Sequence, residues 1–289
     1  MYETFTLKET KKGPVQGYRW PVENPKKVVC IVHGIGEYGG RYDRVATRFN
    51  EAGYAVVAID LRGHGDSPEK KGHCAPRDIV LDDICEMLRY AADTWPEVPI
   101  ILYGHSLGGN IGMEFRCRGA LNDLPAGYII TGPWIRLVRP IPGWASRIIR
   151  RLAKAVPSLV IGSSVDESIL GNPECVLPYH DDPMVHNKIS LQCAVEGYEA
   201  GLKLEKGTME DDHRAADIPL LLMHGKEDLI CDIQGTRKMA DHLKNTAKDF
   251  TYIEWPGLYH EIQNGGPDSK GDEVIDRMIE FIESCGQAE

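Results

Sequence analysis

Ile100-Ile-Leu-Tyr-Gly-His-Ser-Leu-Gly-Gly109 is the stretch on which the reading of this chain turns. Ile100 to Tyr103 form an apolar run of the kind a buried strand needs. The run breaks at Gly104 and continues through Ser106, Leu107, Gly108 and Gly109 into a helical pattern over 110–118. Gly104-His105-Ser106-Leu107-Gly108 therefore fits G-x-S-x-G, with the strand before and the helix after that this motif requires. A serine on such a corner has a strained backbone and an Oγ lifted above the sheet edge. The residues two before and two after it must be small, because the turn presses them against neighbouring backbone. Two plainer readings compete, a glycine-rich turn with a surface serine and a phosphate-binding loop. A P-loop needs Gly-Lys-Ser/Thr, which is missing here, and G-x-G-x-x-G does not match.

Composition sets the bounds. The 289 residues are 42% hydrophobic and 26% charged, ordinary for a globular protein and sufficient for a sizeable core. A formal net charge of −10 argues against nucleic acid as a general partner. The N-terminal residues lack a basic stretch followed by an apolar one, so no signal peptide is expected, and no apolar run approaches the ~18 residues of a membrane span. The cysteines at 30, 74, 85, 117, 175, 193, 231 and 285 have no C-x-x-C spacing, and several sit inside apolar patterns. Buried thiols in a reducing, cytoplasmic setting are the expectation, not structural zinc.

Outward from Ser106, the chain repeats strand and helix. Residues 2–8 and 16–20 are expected as antiparallel strands, then 27–32 as a short β-branched strand that ends in His33-Gly34-Ile35-Gly36-Glu37. A glycine-bearing loop directly after a strand suits an oxyanion hole, since small residues let backbone N–H groups face a carbonyl oxygen. A helix over 41–51, a strand over 54–59 and a polar turn Gly63-His64-Gly65 follow. With no second ligand at suitable spacing, no metal is expected at that turn. A long amphipathic helix over 78–95 is predicted, with Ile79, Leu81, Ile84, Cys85, Leu88, Ala91 and Ala92 on its apolar stripe. A strand over 127–130 continues the alternation, which means an α/β fold with a mostly parallel sheet covered on both faces. Ligands in such sheets bind beyond the carboxyl ends of the strands, where 33–37 and Ser106 both fall.

Residues 134–206 break the pattern. They carry prolines at 140, 142, 157, 173, 178 and 183 and no convincing strand, and they are expected as a helical lid inserted in a single domain spanning 1–289. Within it, 144–156 places Trp144, Ala145, Ile148, Ile149, Leu152, Ala153 and Val156 on one face, and Arg147, Arg150, Arg151 and Lys154 on the other. Such a helix suits contact with an anionic lipid surface, or equally packing on the core with its charges solvated. Strand and helix then resume: strands over 218–223 and 249–254, helices over 233–243 and 273–283.

A serine hydroxyl is a weak nucleophile that needs an adjacent base, itself oriented by a carboxylate. On this architecture the partners follow in the order Ser, Asp/Glu, His, each in a loop after a strand. Asp228 and His260 satisfy both conditions; Asp232 and Glu227 are less suitably placed, and His224 is expected to orient the turn. Ser106 would attack an acyl carbon, His260 would carry the proton, Asp228 would hold the imidazole, and the Leu107 N–H would bind the oxyanion. No cofactor is implied.

His33-Gly-Ile-Gly-Glu-Tyr-Gly-Gly-Arg41-Tyr42, Asp60-Leu-Arg-Gly-His-Gly-Asp-Ser67, Gly104–Gly109 and Tyr259-His260 resemble the monoacylglycerol lipase and lysophospholipase family of α/β-hydrolases. The similarity runs from about residue 15 to 284 and includes 164–170 and 179–184 in the expected lid. The resemblance implies the α/β-hydrolase fold, the triad Ser106, Asp228 and His260, and Ile35 as the second oxyanion N–H. It further implies an acyl tunnel under the lid and a small polar glycerol pocket with Glu37, Arg41 and Tyr179. Gln263 stands where animal monoacylglycerol lipases have a second histidine, and Cys231 where family members carry a thiol near the site. The expected activity is hydrolysis of single-chain lipid esters, monoacylglycerols first. Lysophospholipids or medium-chain esters are alternatives, and a non-catalytic ligand-binding homologue is the reading from another class.

Overall fold

The computed structural model describes residues 1–140, 142–162, 169–178 and 180–286. The central strands are β1 (Glu3–Thr10), β2 (Gly13–Trp20), β3 (Lys27–Val32), β4 (Tyr54–Ile59), β5 (Ile100–His105) and β6 (Gly127–Thr131). After an inserted segment holding β7 (Val160–Gly162) and β8 (Lys188–Ser190), β9 (Leu220–Gly225) and β10 (Phe250–Trp255) complete the sheet. It has eight strands in the order β1-β2-β4-β3-β5-β6-β9-β10. β2 runs antiparallel to β1 and β4, and every other neighbouring pair is parallel.

The continuous apolar runs have a simple cause. Successive side chains of a strand point to opposite faces, and both faces here are covered. Val28, Cys30 and Val32 of β3 join one core, with Ile84 and Leu88 of α2 (Arg77–Thr94), Ile111 and Phe115 of α3 (Leu107–Arg118) and Met239 of α6 (Ile233–Thr246). Val29 and Ile31 of the same strand join the other, with Val45 and Phe49 of α1 (Asp43–Glu51) and Val274, Ile275 and Met278 of α7 (Asp272–Ser284). Edge strands β1 and β10 stay partly exposed along their length.

The inserted segment contains α4 (Gly143–Ala155), the β7–β8 antiparallel ribbon and α5 (Leu191–Glu205). The ribbon corrects the expectation that 134–206 holds no strand; with three residues on each strand it is too short to set up a period. α5 is seated on the body of the molecule. Asn110 of α3 donates to the carbonyls of Trp134 (2.8 Å) and Gly197 (3.1 Å). A Cβ at Gly197 would lie 2.9 Å from the Trp134 ring, so only glycine lets the helix come this close.

Two further boundaries differ. The helix expected from residue 41 begins at Asp43, after a single tight turn over Gly39–Tyr42. In α2, Ile79 is 39% exposed, and Val80 and Met87 take the buried positions instead. The helix is turned by its polar anchors: buried Asp83 receives Arg62 Nε at 2.6 Å and Lys8 Nζ at 2.6 Å. A carboxylate enters an apolar face only when paired in this way.

Candidate active site

Ser106 sits between β5 and α3 with φ 55° and ψ −115°. A non-glycine residue in that region costs about 1–3 kcal/mol and persists only where its surroundings over-determine it. They do so here. The Ser106 N–H donates to the Thr131 carbonyl at 3.0 Å, and its own carbonyl accepts from Asn110 and Trp134, each at 3.0 Å. A Cβ on Gly104 would run into the Gly108 carbonyl oxygen, and one on Gly108 into that of Val32. The spacing of the glycines in the motif is thus a packing requirement.

The loops after β9 and β10 bring the partners to this corner. His260 Nε2 lies 2.8 Å from Ser106 Oγ, and its Nδ1 lies 2.7 Å from Asp228 Oδ2. All three residues are buried. Asp228 is held in turn: Oδ1 accepts from the N–H groups of Ile230 (2.8 Å) and Cys231 (2.9 Å), and Oδ2 lies 3.1 Å from His224 Nε2. Burial works to raise the Asp228 pKa, but the charge of His260 and the hydrogen bonds from His224 and His260 outweigh it, so the group is held far below the usual carboxylate range. For His260 burial opposes protonation, yet the Asp228 carboxylate beside it carries the balance and the pKa is raised. The result is an ionised Asp228 and a basic imidazole pointed at a hydroxyl.

The 33–37 loop closes over the serine, since a Cβ on Gly34 would stand 3.1 Å from Ser106 Cβ. Two buried side chains hold it there. His33 accepts the Leu61 N–H at Nε2 (2.9 Å), with Nδ1 2.7 Å from the Gly34 carbonyl; burial lowers its pKa to about 4, so the ring is neutral. Glu37 accepts the Gly34 N–H (2.7 Å) and the Tyr42 hydroxyl (3.0 Å) on one oxygen. Among the described residues the N–H groups of Ile35 and Leu107 have no acceptor.

Of the residues that the resemblance assigns to a glycerol pocket, Glu37 and Arg41 are enclosed. Glu37 is 2% exposed with its carboxylate turned into the loop. Arg41 lies between Glu37 Oε1 (3.4 Å), Asp182 Oδ2 (3.7 Å) and Glu261 Oε1 (3.7 Å), and donates to the Leu177 carbonyl at 2.7 Å. Burial, and then the charge of Glu261, raise the Glu37 pKa to about 7 against the pull of Arg41. Arg41 and Glu261 also line a small cleft with Leu170, Asn172 and Leu177. Tyr179 and most of the family-like stretch 164–170 lie outside the described residues. Asp182 and Glu261 were not singled out in the sequence; their only signal there was a carboxylate next to the expected base and another in a family-like stretch.

Among the described residues, Asp228, Cys231 and His260 form the group whose potential metal-ligand atoms come within 4.8 Å of one another. Asp228 and His260 are already committed to the relay with Ser106.

A family model described as serine aminopeptidase, S33, matches residues 23–266. The chain is similar to a monoacylglycerol lipase of Mycolicibacterium smegmatis, 31% identical over 267 residues, with 91% of this chain and 90% of that protein covered. It is 32% identical over 263 residues to an uncharacterized abhydrolase domain-containing protein of Dictyostelium discoideum, covering 91% of this chain but spanning only 27% of that protein. The crystal structure of Paleococcus ferrophilus monoacylglycerol lipase superposes with a TM-score of 0.78 at 30% identity, over 93% of this chain and 98% of that one.

Proposed function

This chain belongs to the family described as serine aminopeptidase, S33, and from that premise we propose that it is a serine hydrolase cleaving monoacylglycerols to fatty acid and glycerol. The observation that carries the chemistry is the unbroken relay Ser106–His260–Asp228 at 2.8 and 2.7 Å. Ser106 Oγ attacks the ester carbon as its proton passes to His260 Nε2, and Asp228 stabilises the imidazolium. The oxyanion is held by the N–H groups of Leu107 and Ile35, each such donor being worth about 3–4 kcal/mol in the transition state. His260 then returns the proton to the departing glycerol, activates a water, and the acyl-enzyme hydrolyses to the fatty acid. Glu37 and His33 serve by holding the oxyanion loop. For the head group, buried Gln263 offers a side-chain oxygen with no hydrogen-bond partner among the described residues, which a glycerol hydroxyl would satisfy.

The substrate class rests on the relatives' activity and on the inserted segment, which acts here as a lid. In α4 the apolar face divides. Ala153 is buried and Ile149 half-buried, while Trp144 (70% exposed), Ile148, Leu152 and Val156 form a stripe in water, continued by Leu159 and Ile161. Exposed Arg147 and Arg151 flank it. Arg150 is occupied by Glu199 at 3.2 Å and the Tyr198 ring, tying α4 to α5. An apolar stripe with cations beside it suits the surface of a micelle or an anionic membrane. Among the described residues no helix is long and apolar enough to cross a membrane.

The test is a panel at matched chain length: monoacylglycerol, diacylglycerol, lysophosphatidylcholine and an aminoacyl p-nitroanilide, ranked by kcat/KM, with Ser106→Ala as control. Monoacylglycerol should lead and the variant should be inactive. A leading anilide would make the chain a peptidase, and leading lysophosphatidylcholine would move the head group to a phosphodiester.

A further inference from the structure

The 33–37 loop is anchored on either side of Ile35. Ahead of Ile35 the loop holds itself: Glu37 accepts the Gly34 N–H at 2.7 Å, and His33 Nδ1 lies 2.7 Å from the Gly34 carbonyl. Beyond Ile35 the anchor comes from the inserted segment, where the His186 N–H donates to the Gly36 carbonyl at 3.0 Å. Gly36 has φ 80°, and a Cβ there would run into the His186 carbonyl oxygen, so only glycine lets the two backbones touch. The His186 ring reaches a further segment. Its Nε2 lies 2.9 Å from the Gly63 carbonyl in the turn after β4, and its Nδ1 accepts the Lys188 N–H at 3.2 Å. An acceptor facing Nε2 and a donor facing Nδ1 fix the neutral tautomer with its proton on Nε2. The ring also packs on His64, with centroids 4.8 Å apart, and His64 packs on His33 at 5.2 Å. A row of rings thus runs from the inserted segment back to the base of the loop.

We propose that His186 is a positioning residue for the hydrolysis, the group by which the inserted segment holds the 33–37 loop in place over Ser106. This role rests on the reading of Ile35 as an oxyanion donor. The His186 backbone fixes the Gly36 carbonyl, and the imidazole, by donating to the Gly63 carbonyl, fixes that backbone to the body of the molecule. A donor serves the transition state fully only when it is already aimed, so slack in this anchor costs rate rather than substrate affinity. On the reading above α4 serves capture; His186, later in the same segment, serves rate.

The test separates the two bonds of the ring. In His186→Asn the side chain can take the Lys188 N–H as Nδ1 does, but it is too short by a bond to reach Gly63. In His186→Gln an N–H donor stands as many bonds from Cβ as Nε2 does, and it reaches Gly63. The full chain and both variants are compared on a soluble short-chain ester and with an alkyl trifluoromethyl ketone as inhibitor. Ser106 Oγ adds to the ketone carbon, and the resulting oxyanion occupies the same N–H groups as the transition state. His186→Asn should lower kcat roughly fivefold and weaken the ketone to the same degree with KM unchanged, and His186→Gln should restore most of both. A residue that only shapes its own turn gives the reverse order, with the asparagine variant the better enzyme, and that result overturns the proposal. Unchanged ketone affinity in His186→Asn overturns it as well. Glu37→Gln, which slackens the other anchor of the same loop, tells the two readings apart. If it too leaves the ketone unaffected, Ile35 is no oxyanion donor and both readings fall. If it weakens the ketone while His186→Asn does not, the role of His186 alone is refuted.

Discussion

The carboxyl edge of the sheet and the outer face of α4 are built on opposite terms. At the edge, strongly polar groups are buried and aimed: Asp228 accepts two backbone N–H groups besides its two histidines, and Ser106 is held in a strained conformation by three backbone hydrogen bonds. On α4, Trp144, Ile148 and Leu152 are large apolar side chains left in water. The first region is complete before any substrate arrives, as electrostatic preorganisation demands. The second, on the proposed reading, is completed by an apolar surface. If α4 serves capture as proposed, rate and capture are separable, and substitutions should affect one without the other.

The sharpest break is Asp228→Asn. It keeps the shape of the relay but removes the charge that orients and raises His260, so kcat should fall about 10⁴-fold on every ester. Because that carboxylate holds the His260 pKa up, the acid limb of any residual activity should also move to lower pH. Equal activity in this variant would mean that the relay is not the catalytic device.

Glu37→Gln tests the loop behind the edge and should cost about tenfold in kcat, since one carboxylate oxygen holds both Gly34 and Tyr42. It also has a stability signature. With its pKa raised to about 7, folded Glu37 keeps a proton that the unfolded chain loses near 4.5. Its contribution is therefore full below the unfolded value and lost as pH rises through about 7. Tm should decline between about pH 4.5 and about pH 7, and the decline should be shallower in the glutamine variant. Asp60, raised by burial to about 6, adds a slope of the same sign that the variant retains.

The smallest effect belongs to α4. Trp144→Ser with Ile148→Ser should lower turnover of vesicle-borne monoacylglycerol a few-fold while leaving a soluble short-chain ester and Tm unchanged. A fall in Tm instead would show that the stripe packs on the protein.

The elbow, the order of the relay residues and the strand-helix alternation were legible because each leaves a local mark: glycines two before and two after Ser106, a loop residue after a strand, or a continuous apolar run. The parts that were not legible lack such a mark. Ile79 looks like any apolar helix residue until Asp83 finds Arg62 and Lys8, which turns the helix. Glu261 and Asp182 become partners of Arg41 only through contacts that span more than a hundred residues of chain. The division of α4 into an inner and an outer apolar stripe depends on how the helix is rotated against α5, and its sequence is amphipathic either way.

By itself, then, the sequence determined the α/β architecture and singled out Ser106, Asp228 and His260, which the fold brings together, because short-range sterics and hydrophobic period write these into neighbouring residues. Tertiary structure alone decided that Glu37 faces into the 33–37 loop and that four charged groups share one buried site. Hydrogen bonds and ion pairs between distant segments carry no period, so only the folded chain brings such groups together.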